Sequence, residues 1–405
     1  MNELSMAWKN LWRNKRRTII TVASIFFGVV LSTVMSSLQD GTYSNMIKMS
    51  VKLSSGYIQV QHPKFHEKKS INTIFSPTDT FISSIEEVKT VKTITKRLES
   101  FALFSSEANT RGGAVIGIEP SKDKETSNIQ HWVSEGTFLE KGDTGILLTK
   151  NTAKNLKVGV KDTVVLISQG YHGVSAAAKY PVKGIITFST PQMNNLGAFV
   201  DLKLAQQFFS AEDKISSIMI MVDDYNSVPS TVQQIKDLSD NQYNVLDWKE
   251  INPEIVQFIE SDKSGGLVMI GVLYIVIGFG IFGTIIMMVA ERKRELGVMI
   301  SIGMQRMRLY TILFYETILI GIIGVVAGFL VSVPVIFLFR KNPIKLPPEL
   351  AETYAQYGFE PYFFFGTTPS VFMNQIFIVF LITLMISLYP ILKVRKLKIT
   401  EALRS

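Results

Sequence analysis

Residues 264–295 read SGGLVMIGVLYIVIGFGIFGTIIMMVAERKRE, and this stretch decides the fold. Ser264–Ala290 carries no charge and is dense in Ile, Val, Gly and Met; a basic cluster follows at once. A helix needs roughly 20 apolar residues to cross about 30 Å of hydrocarbon. The run is therefore long enough to span a bilayer and too long for an ordinary core helix. Working outward, three more runs have the same character: Thr18–Gln39, Leu309–Phe339 with the single charge Glu316, and Pro361–Leu392, whose spanning part starts near Pro369. Only helices and closed barrels satisfy their backbone groups in lipid, and runs of this length read as helices.

Residues 40–262 have a different texture. Tyr57-Ile58-Gln59-Val60-Gln61 alternates with period two, as do parts of Thr163–Ser168, Tyr180–Ile186 and Ser217–Val222. Asp79–Val88, Lys203–Phe209 and Val228–Leu238 read as amphipathic helices. The expected fold is thus an α-helical membrane protein with four transmembrane helices and a large α+β periplasmic domain inserted between helices 1 and 2. Composition agrees: of 405 residues, 47% are apolar and 19% charged, against roughly 25% charged in a soluble domain. A single soluble globule and a disordered chain are both excluded. The absence of cysteine excludes a disulfide scaffold, a Cys-ligated metal site and a lipoprotein anchored through its own N-terminal cysteine.

Charge sets the orientation. Residues 1–17, 291–308 and 393–405 each hold five Lys/Arg, against one, two and one acids. Four spans put these three segments on one side, the cytoplasm by the positive-inside rule. The expected boundaries are 1–17 interfacial helix, 18–39 first span, 40–262 periplasmic core domain and 263–290 second span. They continue with 291–308 cytoplasmic segment, 309–339 third span, 340–368 short loop on the far side, 369–392 fourth span and 393–405 cytoplasmic tail. A cleaved signal peptide competes for the first run, but that run exceeds the usual apolar length and no A-x-A site follows. The basic residues hug the span ends rather than striping the soluble domain, so a nucleic-acid role is not expected.

No G-x-x-x-x-G-K-[ST], H-E-x-x-H or G-x-S-x-G motif occurs, so nothing supports catalysis by this chain. His62 and His66 are four apart, but Pro63 disfavours a shared helix face; two surface histidines is the plainer reading than a metal site. Leu4, Ala7, Trp8, Leu11 and Trp12 follow helical spacing, with Lys9, Arg13 and Arg16 elsewhere on the wheel. That pattern fits a helix in the headgroup region, either a generic anchor or a lever feeding the first span. Glu291-Arg292-Lys293-Arg294-Glu295 is followed by an apolar stripe from Leu296 ending at Gly303. It reads as a docking helix or as a basic loop with no partner.

E-R-x-x-E-[IL]-G followed by a small residue and a second glycine resembles the FtsX/MacB-like ABC permease family. Arg13-Asn14-Lys15-Arg16-Arg17-Thr18, within Trp8–Thr21, resembles that family's entry into its first span, and Glu316 matches a recurrent acidic position. Tyr389-Pro390-Ile391 through Glu401-Ala402-Leu403-Arg404 resembles its terminus. Ser301 stands where alanine is common, and Ile399-Thr400 replaces the usual Asp-Pro. Gly56-Tyr57-Ile58-Gln59-Val60, the stretch from Phe138-Leu139 to Asp162-Thr163, and Ser175–Ile185 resemble the lipoprotein-releasing transmembrane subunits of this family.

The resemblance implies a permease that works as a pair with an identical or paralogous copy, driven by two separate ATPase subunits that bind the ATP and Mg. This chain is expected to bind no cofactor of its own. It implies that Glu291, Arg292, Arg294, Glu295, Leu296, Gly297, Ser301 and Gly303 form the ATPase-coupling helix, and Trp8, Trp12, Arg13, Arg16 and Arg17 the interfacial helix. Pro253–Ala290 is expected as one stalk helix of about 57 Å, with Ser264-Gly265-Gly266 as a flex point. Phe27, Val30, Met269 and Leu273 are candidate substrate-pocket positions chosen by depth, with lipid contact or helix packing as the simpler account. The loop holding Tyr171, His172 and Val174 is expected to grip a periplasmic carrier, or to be an ordinary hairpin. Glu316 is read as a functional intramembrane acid or as an interfacial residue paired with Arg308. The expected substrate is a lipoprotein of the bacterial inner membrane, with membrane lipids as neighbours and no nucleic acid. The alternatives are a mechanotransmission permease that moves no substrate and a membrane receptor with no ATPase.

Overall fold

The computed structural model describes residues 3–13, 15–107, 109–123, 125–188, 193–240, 242–356 and 360–390. The expected tail 393–405 lies outside them. In chain order the helices that matter are α1 (Glu3–Arg13), α2 (Lys15–Ser50), α3 (Asp79–Glu86), α4 (Lys150–Leu156), α5 (Leu202–Phe208), α6 (Val228–Leu238), α7 (Pro253–Glu291), α8 (Lys293–Ser301), α9 (Arg306–Lys341), α10 (Pro348–Gln356) and α11 (Pro369–Ile386). The chain divides into two compact units. One is Met1–Asn45 with Ile259–Lys345 and Tyr362–Ser405; the other is Met46–Phe258 with Leu346–Pro361.

Four helices, lying mostly in the first unit, are long and apolar enough to cross a membrane: Lys15–Leu53, Pro253–Glu291, Arg306–Lys341 and Pro369–Pro390. Only 28–33% of their most apolar windows is buried within the chain, so most of that surface faces outward. Water drives no association between lipid-solvated helices, so small residues and interhelical hydrogen bonds hold them. A Cβ on Gly324 or Gly328 would lie 2.7 Å from Ile25 or Val29 Cβ of α2, and one on Gly321 would lie 2.7 Å from Thr383 Cγ2 of α11. Gly28 of α2 likewise meets Ile277 of α7. Ile25, Val29, Ile277, Ile281, Ile320 and Val379 form the shared core. Gln375 of α11 donates to Ser36 Oγ of α2 at 2.7 Å and accepts from Tyr274 of α7, a polar tie across three helices. At the expected flex point, Ser264–Gly266, α7 is continuous helix. A Cβ on Gly266 would overlap the end of the Gln39 side chain of α2, which lies against this glycine.

The second unit holds β1 (Ile58–Gln61), β2 (Val91–Ser106), β3 (Asn109–Ile118), β4 (Val133–Gly136), β5 (Ile146–Thr149), β6 (Thr163–Gln169), β7 (Ser175–Ile186), β8 (Gly197–Asp201), β9 (Ser217–Val222) and β10 (Asn244–Asp247). Strands β2, β3, β8, β5, β7 and β6 pair in that order and β6 closes back on β2. Closure removes the sheet edges within this ring. The long β2 serves two sheets: Val91–Arg97 pairs with β9, and Leu98–Ser106 with β3. The β2–β9–β1–β10 sheet carries α3 and α6, whose buried Ile85 and Ile235 join Ile58, Val60, Ile94 and Ile220 in one core. The alternation at Tyr57–Gln61 marks a strand, but not one with a wet face. β1 lies between β9 and β10, and Gln59 and Gln61 are buried, with Gln61 Nε2 donating to Gln59 Oε1 at 2.5 Å.

Where α2 ends, the π-helical turn Val51–Ser55 is closed by Gly56 at φ 67° and ψ 177°, a positive-φ conformation that glycine adopts at little cost. Arg97 holds this turn within the same unit. It is 2% exposed, and donates to Leu53 O at 3.2 Å and to Ser127 Oγ at 2.5 Å. Burial lowers its pKa. Nearby Asp123 accepts from the Ile129 amide at 2.7 Å, yet burial pushes its carboxyl up to about 6.

Candidate functional site

The short helix α8 is built to be held on one side and offered on the other. Leu296 is buried and clusters with Leu309, Leu313, Met299 and Ile300. The helix ends as its sequence demands. The Met304 amide reaches Met299 O at 3.0 Å, and the Gly303 amide reaches Ile300 O at 3.1 Å, with Gly303 at φ 93°. This is the Schellman arrangement, in which glycine takes the left-handed position beyond the last turn. Gly303 therefore stops α8 and turns the chain into α9. Ser301 Oγ bonds back to Gly297 O at 2.8 Å, and Gly297 is buried. The opposite side carries Val298, 44% exposed, and Ile302, 80% exposed.

The base of α8 sits in a network of charges. Arg292 is 7% exposed and Glu316 3% exposed. Arg292 Nη1 donates to both Glu316 oxygens at 2.9 and 2.8 Å. Arg292 Nε lies 3.4 Å from Glu295, which also takes the Arg13 guanidinium of α1. Arg17 of α2 pairs with Glu291 at the end of α7, and Arg308 lies 3.8 Å from Glu3. These five contacts join α1, α2, α7, α8 and α9. The alternative pairing of Glu316 with Arg308 is corrected: its partner is Arg292, and Arg308 faces Glu3. Arg294 and Arg16 are exposed and form no ion pair among the described residues.

The face read on α1 is split. Ala7 and Leu11 are buried, whereas Leu4, Trp8 and Trp12 are exposed, the two indoles edge to face at 5.9 Å. Thr18 Oγ1 donates to Leu11 O at 2.8 Å, binding the end of α1 to the start of α2. Of the depth-chosen pocket positions, Phe27 and Met269 are exposed, Val30 is half-buried, and Leu273 packs against the helix core. The hairpin loop is anchored at its base. Tyr171 is no free aromatic: it packs on the domain core under Lys214 Nζ, 5.1 Å from the ring centre, and its amide donates to Phe209 O at 2.7 Å. The His172 amide bonds Asn72 Oδ1 at 2.8 Å, leaving the His172 and Val174 side chains exposed. Sequence reading missed the Arg97 cluster and the Ser36–Gln375–Tyr274 tie; the signal for the second was a glutamine inside an apolar run. It also missed the apolar row Phe101, Leu103 and Ile167 outside the strand ring. Among the described residues no group of three or more His, Asp or Glu is placed to hold a metal.

A MacB-like periplasmic core domain model matches residues 18–238, and an FtsX-like permease C-terminal model matches 267–399. The chain belongs to the FtsX/MacB-like permeases. The curated relatives of this permease are permease components of ABC transporters. A macrolide export ATP-binding/permease protein MacB of Hyphomonas neptunium is 20% identical over 84% of this chain and 53% of its own length. The chain thus spans about half of that relative. An uncharacterized ABC transporter permease YknZ of Bacillus subtilis is 21% identical over 81% of this chain and 84% of its own. A lipoprotein-releasing system transmembrane protein LolC of Xylella fastidiosa is 20% identical over 76% of each chain.

Proposed function

We propose that this permease receives force from separate ABC ATPase subunits through α8 and uses it to release lipoproteins from the bacterial inner membrane. It does so paired with a second permease copy or a paralogue. The carrying observation is the two-sidedness of α8. Val298 and Ile302 are apolar side chains left exposed on a short helix whose other side is fixed by Leu296 and the Arg292–Glu316 pair. Two apolar side chains one helical turn apart on a fixed base suit docking against an apolar cleft. A push on α8 reaches α1, α2, α7 and α9 together through the charge network, so the helices respond as one body. On this reading both termini are cytoplasmic, the core domain is periplasmic, and ATP and Mg are held by the partner.

Support for lipoprotein as substrate is the LolC relative and the sequence resemblance at Gly56–Val60 and Ser175–Ile185. A second reading, mechanotransmission to a periplasmic partner, is favoured by α7, which runs 39 residues without a break, roughly 58 Å at 1.5 Å per residue. That is nearly twice the hydrocarbon thickness. The test is purification in mild detergent with identification of every co-eluting chain. Docking predicts an ABC ATPase that is lost in Ile302→Glu; retention of the ATPase by that variant would remove α8 from the interface. Photocrosslinkers at Ser24–Val34 then separate the readings, since acyl-lipoprotein adducts are expected only for release.

A further inference from the structure

A recess of about 310 Å³ opens between α1, α8 and the first turns of α9, and neither docking nor substrate release uses it. Its apolar wall is Leu296, Met299, Met304, Leu309 and Leu313; its polar rim is Lys9, Asn10, Arg13 and Arg292. Three cations stand over an apolar wall, which is the chemistry of an amphiphile with an anionic head. Arg13 is engaged by Glu295, but Lys9 has no ion pair among the described residues. Arg292 spends Nη1 and Nε on Glu316 and Glu295, while its Nη2 carries no hydrogen bond among the described residues. A buried guanidinium with an edge left over is a strong donor for a phosphate.

Depth points to the same ligand. The recess lies at the ends of two spans: α2 starts just after Arg13, and Leu309–Leu313 are the first turns of α9. On α1, Trp8 and Trp12 are exposed, and tryptophan concentrates at the membrane–water boundary. Basic pockets between helix ends at that level take lipid headgroups. We propose that this recess binds one anionic phospholipid, with its phosphate at Lys9 and Arg292 and its chain along the apolar wall. The lipid then bridges the interfacial helix and the docking helix, and makes their joint firmer in an anionic leaflet. The proposal rests on the spans being membrane helices and not on the substrate.

The experiment is native mass spectrometry of the full chain, with its co-purifying subunits, released from nanodiscs of equal parts phosphatidylglycerol and phosphatidylcholine. One phosphatidylglycerol retained per chain is expected. Lys9→Gln should lower that retention about fivefold, as loss of one interfacial cation implies. Met304→Trp, which fills the apolar wall, should abolish it, and Arg16→Gln, exposed and outside the recess, should leave it unchanged. Equal retention of phosphatidylcholine would overturn the anionic assignment. An equal drop in Arg16→Gln would mean diffuse attraction and overturn the site. Retention of glycerophosphate in place of lipid, or loss of the lipid when the ATPase binds, would assign the recess to another occupant.

Discussion

Replacing Glu316 with alanine leaves the Arg292 guanidinium buried against α9 with its main counter-charge gone. Arg292 and Glu316 are 7% and 3% exposed and joined by two contacts under 3 Å. Removing one partner of such a pair costs up to about 3–5 kcal/mol, because the remaining charge is poorly hydrated and keeps only a weak second partner. The loss falls on the joint at α8, since Glu295 offers Arg292 only a 3.4 Å contact from an exposed carboxylate. At about 1.4 kcal/mol per decade, the local opening of α8 should rise by about two to three and a half orders of magnitude. Hydrogen exchange at the Leu296 amide, which donates to Arg292 O at 2.9 Å, reads this directly. The double variant Arg292→Met with Glu316→Leu should recover most of the protection, because an apolar pair avoids the desolvation cost altogether. Unchanged exchange in Glu316→Ala would refute the reasoning, as would a double variant that opens as far as the two single variants combined.

Three further outcomes follow from the same geometry. Burial raises the folded pKa of Asp123 from 3.8 to about 6. Folding therefore takes up a proton between those values, and the contribution of this group falls by about 3 kcal/mol as pH rises through that window, then levels off. Asp123→Asn should flatten this part of the pH dependence in thermal unfolding of the full chain; an unaltered profile would count against it. Gly324→Val places a methyl group against Ile25 Cβ and should cost about 1–3 kcal/mol. Gly280→Val, with nothing within 4 Å, should leave the melting temperature of the detergent-solubilised chain unchanged, and equal losses would mean the helix packing is wrong. Brominated lipids should quench the emission of Trp8 and Trp12 but not of buried Trp248. The quenched fraction should vanish in the Trp8→Phe, Trp12→Phe double variant, and its persistence would displace α1 from the interface.

The four spans, the inserted α+β domain and the position of α8 were legible in the residues alone. Each is written in local sequence: uncharged length, period two, and a charged stretch followed by an apolar run ending in Gly303. Those signals survive because bilayer thickness, strand pleat and helix capping act on consecutive residues. The pairing of Arg292 with Glu316, the split of α1 into Leu11 inward and Trp8 outward, the burial of Gln59 between two strands and the grip of Arg97 on the end of α2 were not legible. Each depends on which distant segment occupies the space beside a side chain. Between Arg292 and Glu316 lie the whole of α8 and nearly three turns of α9, and no periodicity records how that chain doubles back. Sequence determined which helices are long and apolar enough to cross a membrane and where the charged docking candidate lies; only the packed helices decided which charges meet at its base, because a buried ion pair is a property of proximity and dehydration rather than of order along the chain.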